Sequence, residues 1–146
     1  MPTVRELIAR KPTDGSVVAV AGTDTVLAAA NLMNDRGIGG VVVLEAGRLA
    51  GIFTERDVMR RVVAERRDPD TTTVREVMTA PVLTVTPETT MDEVRQLITE
   101  RRIRHLPVVG AEGLVGVVTI GDVLAWEVAE QRFTIQHLEN YVYYQR

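Results

Sequence analysis

GIFTERD (residues 51–57) and GVVTIGD (residues 116–122) write one pattern twice: glycine, two apolar residues, threonine, two variable residues and aspartate. The correspondence does not stop at these seven positions. Residues 17–57, VVAVAGTDTVLAAANLMNDRGIGGVVVLEAGRLAGIFTERD, align without a gap with residues 82–122, VLTVTPETTMDEVRQLITERRIRHLPVVGAEGLVGVVTIGD. Identities include Val20/Val85, Thr25/Thr90, Leu32/Leu97, Ile38/Ile103, Val43/Val108, Gly51/Gly116, Thr54/Thr119 and Asp57/Asp122. A self-match of this length marks a duplicated structural unit.

Each copy reads as strand, helix, strand, strand, helix. VVAV and VLTV are short β-branched runs ended by turn residues. Asp24 or Thr25, and Thr89 or Thr90, are placed to cap the helix that follows. Met91, Val94, Leu97 and Ile98 recur at helical spacing. GGVVVLEAGRLAGIF and HLPVVGAEGLVGVVT each hold two apolar runs around a glycine-containing turn, the signature of a hairpin. A leading segment is also repeated, VREL at 4–7 and VREV at 74–77, with the five extra residues of ARKPTDGS (9–16) accounting for the longer offset. The polar run ERRDPDTTT (65–73) reads as a linker. These features predict an α/β (α+β) fold of two β-α-β-β-α repeats, 4–64 and 74–128, followed by a helical tail over 129–146. One sheet face of each repeat needs a cover, and packing sheet to sheet would bury both as a pseudo-symmetric unit.

Composition narrows the function classes. With 45% hydrophobic and 25% charged residues, the chain has the make-up of an ordinary globular domain. No apolar run reaches the roughly 20 residues needed to span a bilayer, and the charged N-terminus lacks a signal-peptide core; a cytoplasmic location is the expectation. Cysteine is absent, which excludes disulfides and thiolate metal sites. A net charge of −3 and the lack of a basic stripe argue against nucleic acid. Lys11 is the only lysine among 17 basic residues, so almost all positive charge rests on arginine.

The polar residues of the repeated motif have two readings. Asp57 and Asp122 stand where a strand passes into a helix, so each can be a plain N-cap; a carboxylate there also offers two acceptors to a cis diol. Thr54 and Thr119 can cap in the same way, or place a hydroxyl beside free N–H groups that favour an anion. Arg56 can reach a phosphate as a charged donor, or pair with Glu55 or Asp57 at the surface. The second copy has Gly121 at that position, so the two sites are expected to differ.

Taken together, the motifs resemble a tandem pair of cystathionine β-synthase (CBS) domains, a Bateman module. The resemblance rests on GIFTERD, GVVTIGD and the IRHLPVV segment at 103–109, and covers residues 4–128. It implies a non-catalytic regulatory module that binds adenine nucleotides (AMP, ADP, ATP) or an NAD-type ligand in clefts between the repeats. The alternative is an interaction module with vestigial nucleotide sites that regulates a partner protein. It further implies a homodimer and no obligatory cofactor. Carried over by position, it assigns Asp57 and Asp122 to ribose, Thr54 and Thr119 to phosphate, Ile38 and Ile103 to the base, and Arg104 and His105 to phosphate. Gly39 and Gly40 replace the last two in the first copy, removing those ligands while leaving room for a close approach of backbone.

No catalytic constellation accompanies these residues. Ser16, the only serine, lacks a nucleophile elbow, and GIGG (37–40) precedes a strand instead of opening a helix as a dinucleotide fingerprint would. His105 and His137 lack the spacing of a metal site. The tail gathers Trp126, Phe133 and all three tyrosines; it is expected to pack on its own module or a dimer mate, or to dock on another protein.

Overall fold

The computed structural model describes residues 1–11 and 17–144; Ser16 and most of the extra residues of the 9–16 segment lie outside them. Helix α1 (Val4–Arg10) is followed by strand β1 (Ala19–Ala21), helix α2 (Val26–Arg36) and strands β2 (Gly40–Glu45) and β3 (Arg48–Thr54). A short helix α3 (Glu55–Asp57) then runs into a π-helical stretch at Val58–Val63. Helices α4 (Val74–Val77) and α5 (Met91–Arg101), strands β4 (His105–Gly110) and β5 (Gly113–Thr119) and the long helix α6 (Ile120–Tyr144) complete the chain.

The duplication persists in local geometry. The hairpins β2–β3 and β4–β5 are both antiparallel, with a register shift at Val43/Leu44 in one and at Val108/Val109 in the other. Thr25 accepts from Ala28 N, and Thr90 from Glu93 N, whose carboxylate returns to Thr90 N at 3.0 Å. This reciprocal arrangement satisfies two free N–H groups at the start of α5. Both helices close on a left-handed residue, Gly37 (φ 63°) and Arg102 (φ 53°); glycine adopts that conformation without the steric cost an arginine bears.

One predicted strand departs from its twin. β1 pairs in parallel with β2 over three residues, but of residues 82–85 only Val85 joins the second hairpin, through a single parallel bridge to Val108. Pro81 and Pro87 flank this segment where the first copy has Ser16 and Gly22. Proline has no N–H to give a ladder, which shortens the pairing.

The cores are built across the repeats. Val4 and Leu7 of α1 are buried with Val85, Val94, Leu106 and Val118 of the second copy. Val74 and Val77 of α4 are buried with Val20, Val26, Val43 and Phe53 of the first. Each leading helix therefore covers the core of the other repeat. Backbone bonds hold the exchange: Val4 N to Thr89 O and Met91 N to Pro2 O on one side, Val26 N to Thr72 O and Val74 N to Asp24 O on the other. The polar run before α4 is accordingly tied down at its end, where Thr72 is buried.

Strand β3 lies against β5, joining the two units at their hairpins. The motif glycines make the exchange possible. A Cβ at Gly51 would lie 2.6 Å from Met78 Sδ and 2.9 Å from Thr79 O, and one at Gly116 would lie 3.3 Å from Ile8 Cδ1. The chain just after α4 crosses β3 so closely that its backbone leaves no room for a Cβ at Gly51, while α1 crosses β5 with the Ile8 side chain set tightly on Gly116.

Leu7→Ala should cost about 3 kcal/mol, in the range of large-to-small core substitutions, measured by denaturant unfolding. Hydrogen exchange should accelerate first in β4–β5, not in β2–β3, although Leu7 precedes the first repeat. Loss confined to β1–β3 would contradict the exchanged packing.

Candidate functional site

Both Thr…Asp motifs form the same cap. Thr54 N donates to Asp57 Oδ2 at 3.0 Å and Thr119 N to Asp122 Oδ2 at 2.9 Å. Asp57 N and Asp122 N return to the threonine hydroxyls at 3.4 and 3.1 Å. The strand-to-helix corner is closed by side chains in each copy, so each aspartate sits at a fixed place beside the repeat junction.

The exchanged segments bring each aspartate a further partner. Lys11, the residue after α1, ion-pairs with Asp122 at 2.9 Å and donates to Val117 O at 2.8 Å. Thr79, shortly after α4, donates its hydroxyl to Asp57 Oδ1 at 3.0 Å, and Arg61 Nε stands 3.8 Å from the same oxygen. Asp57 is 4% exposed and uses both carboxylate oxygens; Asp122 is only partly buried. The pseudo-symmetric positions thus hold a lysine–aspartate ion pair on one side and a threonine–aspartate hydrogen bond on the other.

Two clefts open along the junction. A cleft of about 400 Å³ is lined by Ile8, Lys11, Val18, Ile38, His105 and Thr119, among others, and is mainly aliphatic. A second, of about 450 Å³, is lined by Thr54, Arg56, Asp57, Ile103, Arg104 and His105, with Thr79, Arg101, Arg102 and Thr119. Four arginines face this second space against the two acids Glu55 and Asp57, a donor-rich wall suited to an anion. Ile38 therefore lies apart from Ile103, one in each cleft. Thr119 and His105 border both, and Asp122 reaches the aliphatic cleft through Lys11.

His105 occupies the centre of the junction. Its ring packs on Gly40, the residue of the first copy that corresponds to it; a Cβ there would lie 3.1 Å from Nε2. The space left by Gly40 is filled by a side chain from the other repeat, not by backbone. Burial holds the imidazole pKa below its ordinary value of 6.5, with the Glu55 carboxylate opposing, Arg104 adding to the shift and Asp122 opposing. Lys11, Arg61, Thr79, Arg101 and Arg102 are site residues that the motif comparison misses. Lys11 stands out as the only lysine, whereas nothing in the pattern of residues 74–81 singles out Thr79.

A family model described as CBS domain matches residues 4–64 and again 74–129. The CBS domain-containing protein CBSX3, mitochondrial, of Arabidopsis thaliana is 40% identical over 137 residues, covering 90% of this chain and 66% of the plant protein. This chain thus spans just under two thirds of that relative's length. A solved structure of a protein with CBS domains from Burkholderia ambifaria MC40-6 is 41% identical, with a TM-score of 0.85 over 88% of this chain and 96% of that one. A hexameric CBS-CP12 protein from bloom-forming cyanobacteria is 31% identical, with a TM-score of 0.73 over 85% of this chain and 70% of that one. Among the described residues, no helix is long and apolar enough to cross a membrane and no three metal-ligating side chains cluster.

The lowered His105 pKa makes stability depend on pH. The unfolded chain binds this proton more readily than the folded one, so the contribution is intact above the ordinary value and is lost as pH falls toward the depressed one. Wild-type protein should lose more stability than His105→Gln between about pH 7.5 and about pH 5.5, measured by urea unfolding at both. Equal losses would remove His105 from the account.

Proposed function

The chain belongs to the CBS-domain family, and from that premise we propose that it is a non-catalytic regulatory module binding an adenosine phosphate at the repeat junction. The observation that carries this reading is the arginine-lined cleft, where Arg56, Arg104 and His105 stand near the aliphatic Ile103. Phosphate oxygens would meet the guanidinium groups, which offer paired, charge-assisted donors. The base would lie on the aliphatic wall. AMP, ADP and ATP share these features, and an NAD-type ligand could enter through its adenosine half. Binding would alter the junction between repeats and so the surface offered to a regulated protein partner.

Each cleft has its own aspartate for ribose: Asp57 lines the arginine-lined cleft, whereas Asp122 stands toward the aliphatic one beside Lys11. Asp57 is buried and already bonded at both oxygens. Asp122 is part-exposed, and its engaged oxygen is shared between the Thr119 N–H and Lys11. The same facts support a second reading, in which the aspartates serve the fold and the module regulates its partner without nucleotide.

Calorimetry with AMP, ADP and ATP, on protein freed of carried-over nucleotide, separates the two readings. The first expects saturable binding that Arg104→Ala weakens by roughly tenfold or more, the value of one or two charged hydrogen bonds. It also expects Asp57→Asn, which keeps the size of the capping side chain, to weaken the preference for ribose over deoxyribose analogues. No heat from any of these ligands, together with capture of one partner regardless of nucleotide, would establish the second.

A further inference from the structure

Helix α6 runs well past the body it helps to build. Its last buried residue is Trp126, and the family match ends at 129, yet the helix continues to Tyr144. Val123 and Trp126 face the second core, while Glu127 and Glu130 pair with Arg95 and Arg10. Roughly 130° around the helix, at about 100° per residue, a separate apolar line runs the length of the element. Leu124, Val128, Ile135, Leu138 and Val142 form it, and they are 55, 46, 56, 57 and 58% exposed.

The spacing of this line is a heptad. Val128, Ile135 and Val142 take the a positions, and Leu124 and Leu138 the d positions, with Gln131 at the d between them. β-Branched residues at a with leucine at d favour two parallel strands, and a polar residue at a single core layer sets register. In that arrangement each Gln131 meets its own copy, where two amides can donate and accept reciprocally. Charge follows the same geometry. Glu127, at g, faces Arg132, at the next e, of the other helix; Glu127 already engages Arg95 through Oε1 at 3.1 Å, so the contact extends an ion pair of the module. A projecting helix of about 15 residues is marginal alone in water, and its stability comes from packing an apolar face.

We propose that the α6 extension pairs with the α6 of a second copy of this chain as a short parallel coiled coil. The contact begins at Leu124 and Val128 in the second matched repeat and continues beyond it through Ile135, Leu138 and Val142, and it does not depend on whether the clefts hold a ligand. It would give the module a symmetric partner whose two-fold axis runs along the helices.

The full chain, which has no cysteine, allows a direct test. Val142→Cys should form a disulfide-linked dimer under mild oxidation, because a residues face one another in a parallel pair. Ile135→Glu with Leu138→Glu, both at exposed positions, should halve the mass found by sedimentation and lower the helical far-ultraviolet signal by no more than the share of the extension, while the module still unfolds in one cooperative transition. Three results would overturn the proposal: a monomeric wild type, an unchanged mass for the double variant, or cross-linking that requires Leu124→Cys together with Val142→Cys, as in an antiparallel pair.

Discussion

Neither repeat closes its own core. Val4 and Leu7 complete the second, Val74 and Val77 the first, and all four are at most 3% exposed. Burying side chains of this size is worth about 1.5–3 kcal/mol each, so the exchanged helices are a large part of what holds a small domain together. The exchange also decides where the chain goes next. Leaving α1, it delivers Lys11 to Asp122; leaving α4, it delivers Thr79 to Asp57. The packing that stabilises the fold thus places a partner beside each motif aspartate, and the clefts open at the same junction.

Pseudo-symmetry is kept through most of the backbone, apart from the single bridge at Val85 and the π-helical stretch at Val58–Val63, and is broken in the chemistry. Caps, bulges and left-handed helix ends recur at matching positions, while the groups facing the junction differ. His105 fills the room that Gly40 leaves; Lys11 answers Thr79; and arginines gather in one cleft while aliphatic side chains line most of the other. A duplicated scaffold with unequal side chains thus forms two clefts of different chemistry.

Much of this was legible in the sequence because caps and hairpins are local. Thr25, Thr90 and the two Thr…Asp motifs announce their roles within four residues, and the ungapped self-match supplies the repeat. The exchange of leading helices was not legible. VREL and VREV carry the same apolar pattern, so either would cover either core, and the choice is made by chain path. The short pairing at Val85 could have been anticipated from Pro81 and Pro87. The Lys11–Asp122 pair joins residues 111 positions apart, and local spacing carries no trace of it. Gly40 suggests room for a close approach of backbone, yet the space belongs to the imidazole of its counterpart. Within the first motif Asp57 forms the cap that its position suggests, accepting from Thr54 N, and it also accepts from Thr79, which the motif does not announce.

The central claim is that an anionic adenosine ligand enters beside His105, and the imidazole itself is the most direct reporter. The chain has two histidines, His105 at the junction and His137 on the α6 extension. Following both rings by nuclear magnetic resonance while AMP is added should move the His105 signals and raise its pKa, because a phosphate favours the imidazolium. His137 should stay in place. If His105 remains unmoved at saturating nucleotide, the ligand does not bind at this junction and the account is contradicted.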